Sequence, residues 1–304
     1  LTTLAARLDC EVTPTELKQV ALRFTKAAAA LGEVRVSGPF NLAKQEGKLK
    51  AEILALDRQV LNLAAAGSGM DFGTTTINSS TDIELTKGGQ EISLAGFLEI
   101  ARFQVTRLGQ TTPTLDLRSD YNVLVDNTAQ SATLKTLNLV GKQNQNPLLQ
   151  AGLDKPLAIA WGNTSGAVGD ATLNFAITDL NLADWKAFAG TAAPAGTVNA
   201  KLKVVSTAGG KQLALELDSR VEKFAATLGS NQVSQVDVQL QAHASAADLK
   251  QFQLADYRLE IAHQGQSALV MSGSGTFDAA TQDADLQVTV QATLAPLLAL
   301  QPQP

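Results

Sequence analysis

Reactive side chains are scarce in this sequence of 304 residues, which holds one cysteine, two histidines, two tryptophans and two tyrosines. Cys10 alone excludes an internal disulfide framework and any multi-cysteine metal site. Charged residues make up 17% of the chain and its formal net charge is −5. Nucleic-acid binding rests on phosphate neutralisation by clustered bases, so an acidic chain with scattered Lys and Arg argues against it. No run reaches the ~18 apolar residues of a membrane-crossing helix. The 45% hydrophobic content excludes intrinsic disorder, which goes with low hydrophobicity and high net charge. The chain starts at Leu1 without the pattern of a signal peptide and ends Gln301-Pro302-Gln303-Pro304. It reads as a segment of a longer protein, one continuous stretch over 1–304.

What the sequence has in quantity is alternation of period two, the mark of strands with one apolar face. The clearest runs are Leu115, Leu117, Tyr121, Val123, Val125; Leu173, Phe175, Ile177; Val198, Ala200, Leu202, Val204; and Leu213, Leu215, Leu217. Further along come Val236, Val238, Leu240; Tyr257, Leu259, Ile261; and Leu286, Val288, Val290. Gly88-Gly89, Asn163 to Gly166, Gly209-Gly210 and Gly229 to Asn231 punctuate them as turns. Short strands joined by tight turns predict a mainly β fold with an antiparallel sheet and a few short helices. One helix is expected where Leu182, Trp185, Phe188 and Ala189 share a face, with Asp179 or Asn181 as N-cap and Gly190 past its end. Thr15 to Ala30 fits either a helix or a strand, and the repeat described next favours the strand.

The chain's end repeats its beginning. Ser37 to Ile53 reads SGPFNLAKQEGKLKAEI and Ser274 to Val290 reads SGTFDAATQDADLQVTV, at an offset of 274 − 37 = 237. The match continues ungapped through Val60/Leu297, Leu61/Leu298 and Leu63/Leu300. Upstream, Leu17 to Leu22 aligns with Leu249 to Leu254 once a five-residue gap is allowed, giving a repeat of 17–63 with 249–300. Recurrence within one chain suggests a long, elongated, repetitive protein.

Candidate chemistry is sparse. His243 and His263 lie in alternating runs without metal-site spacing and read as surface or turn-proximal residues. Cys10, with no histidine or basic cluster beside it, reads as a small, partly buried apolar residue. Gly67-Ser68-Gly69 and Gly273-Ser274-Gly275 match neither a phosphate loop nor a nucleophile elbow and are expected to be turns or bulges. Asp278, Asp283 and Asp285 lack the calcium-loop spacing and read as a solvated hairpin tip. No catalytic, metal-binding or cofactor-binding residues are expected, and no enzyme.

The open question is what covers so many apolar strand faces with so few helices. A filled sandwich is one answer. Against it, small residues recur on the apolar register (Ala51, Ala55, Ala200, Ala242, Ala244, Ala292) and aromatics are only 5% of the chain. A transmembrane barrel needs aromatic girdles that these few Trp and Tyr do not supply.

Ser37-Gly38-Pro39-Phe40-Asn41-Leu42 with its Gly/Lys hairpin, and Thr178-Asp179-Leu180-Asn181-Leu182-Ala183-Asp184-Trp185, resemble the AsmA-like proteins of bacterial envelopes. Asn146-Pro147-Leu148-Leu149 and Pro156-Leu157-Ala158-Ile159 are similar in style. The resemblance implies a long, curved, U-shaped antiparallel β-groove in the periplasm of a Gram-negative bacterium. It implies an inner-membrane anchor outside this chain and an apolar lining that shields phospholipid acyl chains moving between the membranes. The lining would then comprise Leu173, Phe175, Ile177, Val198, Leu202, Val204, Leu213, Leu215, Leu217, Val236, Val238, Leu240, Tyr257, Leu259, Ile261, Leu286, Val288 and Val290. Polar residues such as Asn199, Lys201, Lys203, Asp237, Gln239 and Gln241 would face outward. The alternative is a structural or partner-binding β-repeat scaffold with a self-filled core.

Overall fold

A computed structural model describes residues 3–161, 170–189, 192–228 and 231–299. The turn signals at Asn163 to Gly166 and at Gly229-Ser230, the helix-ending Gly190, Leu300 of the repeat and the Gln301–Pro304 tail lie outside them. Among the described residues strands account for 72% and helices for 10%, in an antiparallel sheet not closed into a barrel. That is too little helix to cover a sheet face. Residues 1–146 and 147–304 form two compact units.

In the first unit the strands follow one another as a meander: β1 (Leu4–Thr13), β2 (Glu16–Lys26), β3 (Ala29–Asn41), β4 (Glu46–Asp57), β5 (Thr76–Thr86), β6 (Glu91–Phe103), β9 (Leu115–Asp126) and β10 (Ser131–Gln143). Helix α1 (Arg58–Ala64) follows β4, and a separate ribbon of β7 (Thr106–Arg107) and β8 (Gln110–Thr111) lies between β6 and β9. These connections close one end of the sheet. Asp57 caps α1 by accepting the Gln59 N–H at 2.6 Å. Leu31, Val60, Val105 and Leu115 are buried at this end, where Thr112 accepts the Val105 N–H at 3.0 Å. The opposite end has only tight hairpin turns.

The second unit runs β11 (Asn146–Leu153), β13 (Ala171–Asn181), β14 (Ala195–Thr207), β15 (Gln212–Leu228), β16 (Asn231–Ala247), β17 (Gln251–His263), β18 (Gln266–Asp278) and β19 (Asp283–Ala292). The short β12 (Leu157–Ala160) packs near Ser206 and Gly210. The expected helix is half 3-10, Leu182–Trp185, and half α2 (Lys186–Ala189). Its N-cap is Asn181, which accepts the Ala183 N–H, and not Asp179. Helix α3 (Leu294–Ala299) follows β19. The segment from Thr15 is the strand β2, as the repeat favoured.

The repeat is also one of structure. Adding 237 to the bounds of β3 and to the start of β4 gives those of β18 and β19. Pairs Leu22↔Val34 and Val36↔Ala51 recur as Leu259↔Met271 and Gly273↔Val288. Both register shifts in β2–β3, after Leu17 and after Phe24, recur in β17–β18 after Leu254 and after Ile261. Asn41 Oδ1 accepts the Lys44 N–H, as Asp278 Oδ1 accepts the Thr281 N–H. Leu17 lies opposite Gly38 and Leu254 opposite Gly275, so the single offset holds upstream and the five-residue gap is not required. Close backbone approach explains the paired glycines: a Cβ at Gly38 would lie 2.2 Å from the Lys48 carbonyl oxygen, and one at Gly275 2.8 Å from that of Asp285.

Gly273-Ser274-Gly275 is not a turn but the middle of β18, at a bulge as expected: β17 has two residues between Leu254 and Tyr257 where β18 has only Ser274. Gly67-Ser68-Gly69 does form a 3-10 turn ending left-handed at Gly69. Cys10 departs from its expected burial and is exposed, because β1 is an outermost strand of its unit.

Candidate functional site: an amphipathic sheet

Direct cross-strand partners share a face, so pairing registers sort the side chains. In the second unit one row reads Leu173–Val204–Leu215–Ala244–Leu254–Gly275–Leu286. The next reads Phe175–Leu202–Leu217–Ala242–Tyr257–Gly273–Val288, and a third joins Leu240, Leu259, Met271 and Val290. Ile177 pairs with Ala200; Val198, Val238 and Ile261 are linked through Val221; Val236 lies opposite Phe224 and Leu213 opposite Ala246. All the residues expected to line a groove are thereby on one face of the second unit's sheet.

The other face is polar. Asn174, Lys203, Glu216, His243 and Asp256 form one row, and Asn199, Arg220, Gln239 and Glu260 another. Lys201, Gln241 and Asp237 share that face. Its charges pair off: Lys203 with Glu216 at 3.3 Å, and Arg258 with Glu260 at 2.9 Å. The Arg258 guanidinium lowers the Glu260 carboxyl below the usual carboxylate range. His243 Nδ1 lies 2.8 Å from the exposed Asp256 carboxylate, which raises the imidazole pKa above its ordinary value. His263 ends β17 beside the hairpin turn.

The first unit has the same two faces. Val20, Val36, Ala51, Thr81, Gly96, Tyr121 and Leu137 make an apolar-register row, interrupted by a Thr81–Tyr121 hydroxyl bond of 2.7 Å. On its polar face Arg35 pairs with Glu52 at 2.7 Å, which lowers the Glu52 pKa and raises that of Arg35. Phe97 falls on this face and is covered by the Arg118 guanidinium 4.7 Å from its ring centre.

Burial shows how the apolar face is treated. A packed second layer would withdraw the central rows from water. Leu173, Phe175, Leu202, Leu215, Leu217, Leu240 and Leu259 are instead half-buried, shielding one another, and Leu286, Val288 and Val290 are 65%, 46% and 57% exposed. Fully buried apolar residues of this unit sit around β12 (Leu148, Leu157, Ala158) or at the helix-capped end (Ala187, Val236, Ala268). At the other end Phe252 and Phe277 stack with ring centres 6.1 Å apart, both partly in water. A cavity of about 750 Å³ near that end draws on both faces, with Gln212, Ser245, Gln253 and Thr276 from the polar rows and Leu213, Ala246, Phe252 and Phe277 from the apolar row that ends there.

Comparison of the chain with family models, curated proteins and solved structures gives no match. Among the described residues no cluster of His, Cys, Asp and Glu is arranged to hold a metal ion, and no helix is long and apolar enough to cross a membrane.

A recurring bulge that the alternation does not announce shapes the sheet. Ala55, Arg102, Asp179 and Lys223 adopt left-handed φ of 46°, 50°, 51° and 52° at register shifts in β4, β6, β13 and β15. Each donates its N–H to an Asn or Asp on the next strand: Asn78, Asp116, Asn199 and Asp237, at 2.8–2.9 Å. A non-glycine residue in this region costs ~1 kcal/mol, which the hydrogen bond offsets. The bulge brings Leu56, Phe103, Leu180 and Phe224 back onto the apolar register. Its sequence trace is Ile/Val-x-x-Leu/Phe followed by an Asn or Asp on the returning strand.

Proposed function

We propose that this chain is a non-enzymatic segment of an AsmA-like envelope protein that shields phospholipid acyl chains along its apolar sheet face. In this reading the parent is anchored in the inner membrane of a Gram-negative bacterium. It spans the periplasm and serves phospholipid transport to the outer membrane and outer-membrane biogenesis. The single observation that carries it is the apolar face of the second unit, continuous over seven strands and only half-buried in its central rows. A buried methylene is worth ~0.8 kcal/mol, so such a face removes much of the cost of carrying an acyl chain through water. The contacts are non-directional, which suits a cargo that slides and needs no catalytic group. A self-filled scaffold would require the central rows to be dry, and their partial exposure favours the lipid reading over it. The test is native mass spectrometry and lipid extraction of chain prepared without detergent. Bound phospholipid supports the reading; protein that neither carries phospholipid nor takes up a labelled fatty acid overturns it.

A further inference from the structure

Both tyrosines of the chain lie on the apolar register, one in each unit, and each stands directly opposite a glycine: Tyr121 opposite Gly96 and Tyr257 opposite Gly273. Close backbone approach requires these glycines. A Cβ at Gly96 would lie 2.1 Å from the Ser80 carbonyl oxygen, and one at Gly273 2.0 Å from that of Gln287. Each ring takes up the space that the missing side chain leaves. Tyr257 Cε1 would lie only 3.0 Å from a Cβ at Gly273. Tyr121 reaches past Gly96 to Thr81 on β5, where the two hydroxyl oxygens are 2.7 Å apart. Two phenol oxygens are thereby fixed on faces that are otherwise apolar.

Their donors are not used up. Two hydroxyls that share one hydrogen bond carry two protons and use one, so the Thr81–Tyr121 pair keeps a free O–H. Beyond its glycine Tyr257 meets Val288, and it makes no hydrogen bond among the described residues. Ser79, also on the apolar register, is by contrast satisfied, donating to the Phe97 carbonyl at 2.9 Å. In the free chain water accepts from the two phenol sites. An acyl chain laid over them excludes that water, and a donor then left without a partner is costly. We propose that, on the acyl-shielding reading, these two sites select the cargo: the Thr81–Tyr121 pair and Tyr257 each donate a proton to an ester carbonyl of the lipid. The face then takes ester-linked acyl lipid in preference to ether-linked lipid of the same length and headgroup. A carbonyl oxygen is a strong acceptor and an ether oxygen a weak one, and a site built to hydrogen-bond its ligand rejects the analogue that leaves it unpaired.

The probe is a vesicle holding equal amounts of dipalmitoyl phosphatidylethanolamine and its dihexadecyl ether analogue. The full chain is incubated with it and recovered, and the two lipids bound are counted by mass spectrometry, which separates them by their carbonyl oxygens. The wild-type chain is expected to carry about fivefold more of the ester lipid. Tyr121→Phe/Tyr257→Phe keeps both rings over their glycines and removes both phenol oxygens, and should bring that ratio to about one. Equal amounts on the wild-type chain, or a preference unmoved in the folded double variant, overturns the proposal while bound lipid leaves the acyl-shielding reading standing. A chain that takes up neither lipid overturns that reading, and the proposal with it.

Discussion

Placing two carboxylates on the apolar face of the second unit tests which face meets lipid. Leu215 lies between Val204 and Ala244, and Leu259 between Leu240 and Met271, both half-buried and both within the central rows. In the double variant Leu215→Asp/Leu259→Asp, an acyl chain must leave about four methylenes near the new charges in water. At ~0.8 kcal/mol each this loses about 3 kcal/mol, or about a hundredfold in affinity. Because the leucines are only half-buried, each substitution should cost the fold about 1 kcal/mol, against a typical total of 5–15 kcal/mol. Far-UV circular dichroism and a thermal melt establish that the variant is folded, and extraction with phosphate analysis measures its lipid. Gln239→Asp/Gln241→Asp adds the same charge to the polar face and should leave lipid loading unchanged. Wild-type loading in the folded leucine variant, or equal loss in the glutamine variant, refutes the assignment of faces.

Two further outcomes follow from local geometry. Asn78→Ala removes the acceptor for the Ala55 N–H and should lower stability by about 1 kcal/mol in urea titration, while Asn78→Asp should stay near wild type because Asp116 and Asp237 do the same work elsewhere. His243 should titrate by NMR above the ordinary histidine range, and Asp256→Asn should return it there. Since its folded pKa is the raised one, the stability that this pair contributes is fully present below the unfolded pKa. It is lost as pH rises through the folded one.

Period-two alternation made the amphipathic sheet legible. Leu213, Leu215 and Leu217 fall on one face because side-chain direction in a strand is set by the backbone, and β15 runs without a shift through them. Bulges were not legible, since nothing in Ala55, Arg102 or Lys223 as residue types announces a left-handed φ. Cys10 was misplaced for a different reason: whether a strand is outermost depends on pairing, which alternation does not encode. The shared Leu-Lys-Gln at Leu17 and Leu249 suggests a gapped match for the upstream part of the repeat. Strand pairing instead matches Leu17 to Leu254, because register is governed by which residues oppose the paired glycines. The half-buried state of the central rows is a property of layers, and no residue pattern carried it.

The most direct test of the acyl-shielding account is face-resolved photo-crosslinking of chain expressed in a Gram-negative host. A photoreactive phenylalanine analogue at Leu217 samples the apolar face, and one at the adjacent Asp218 samples the polar face of the same strand. The account predicts phospholipid adducts from position 217 and few or none from 218. Equal adducts at both positions, or none at 217 in folded protein, would contradict it.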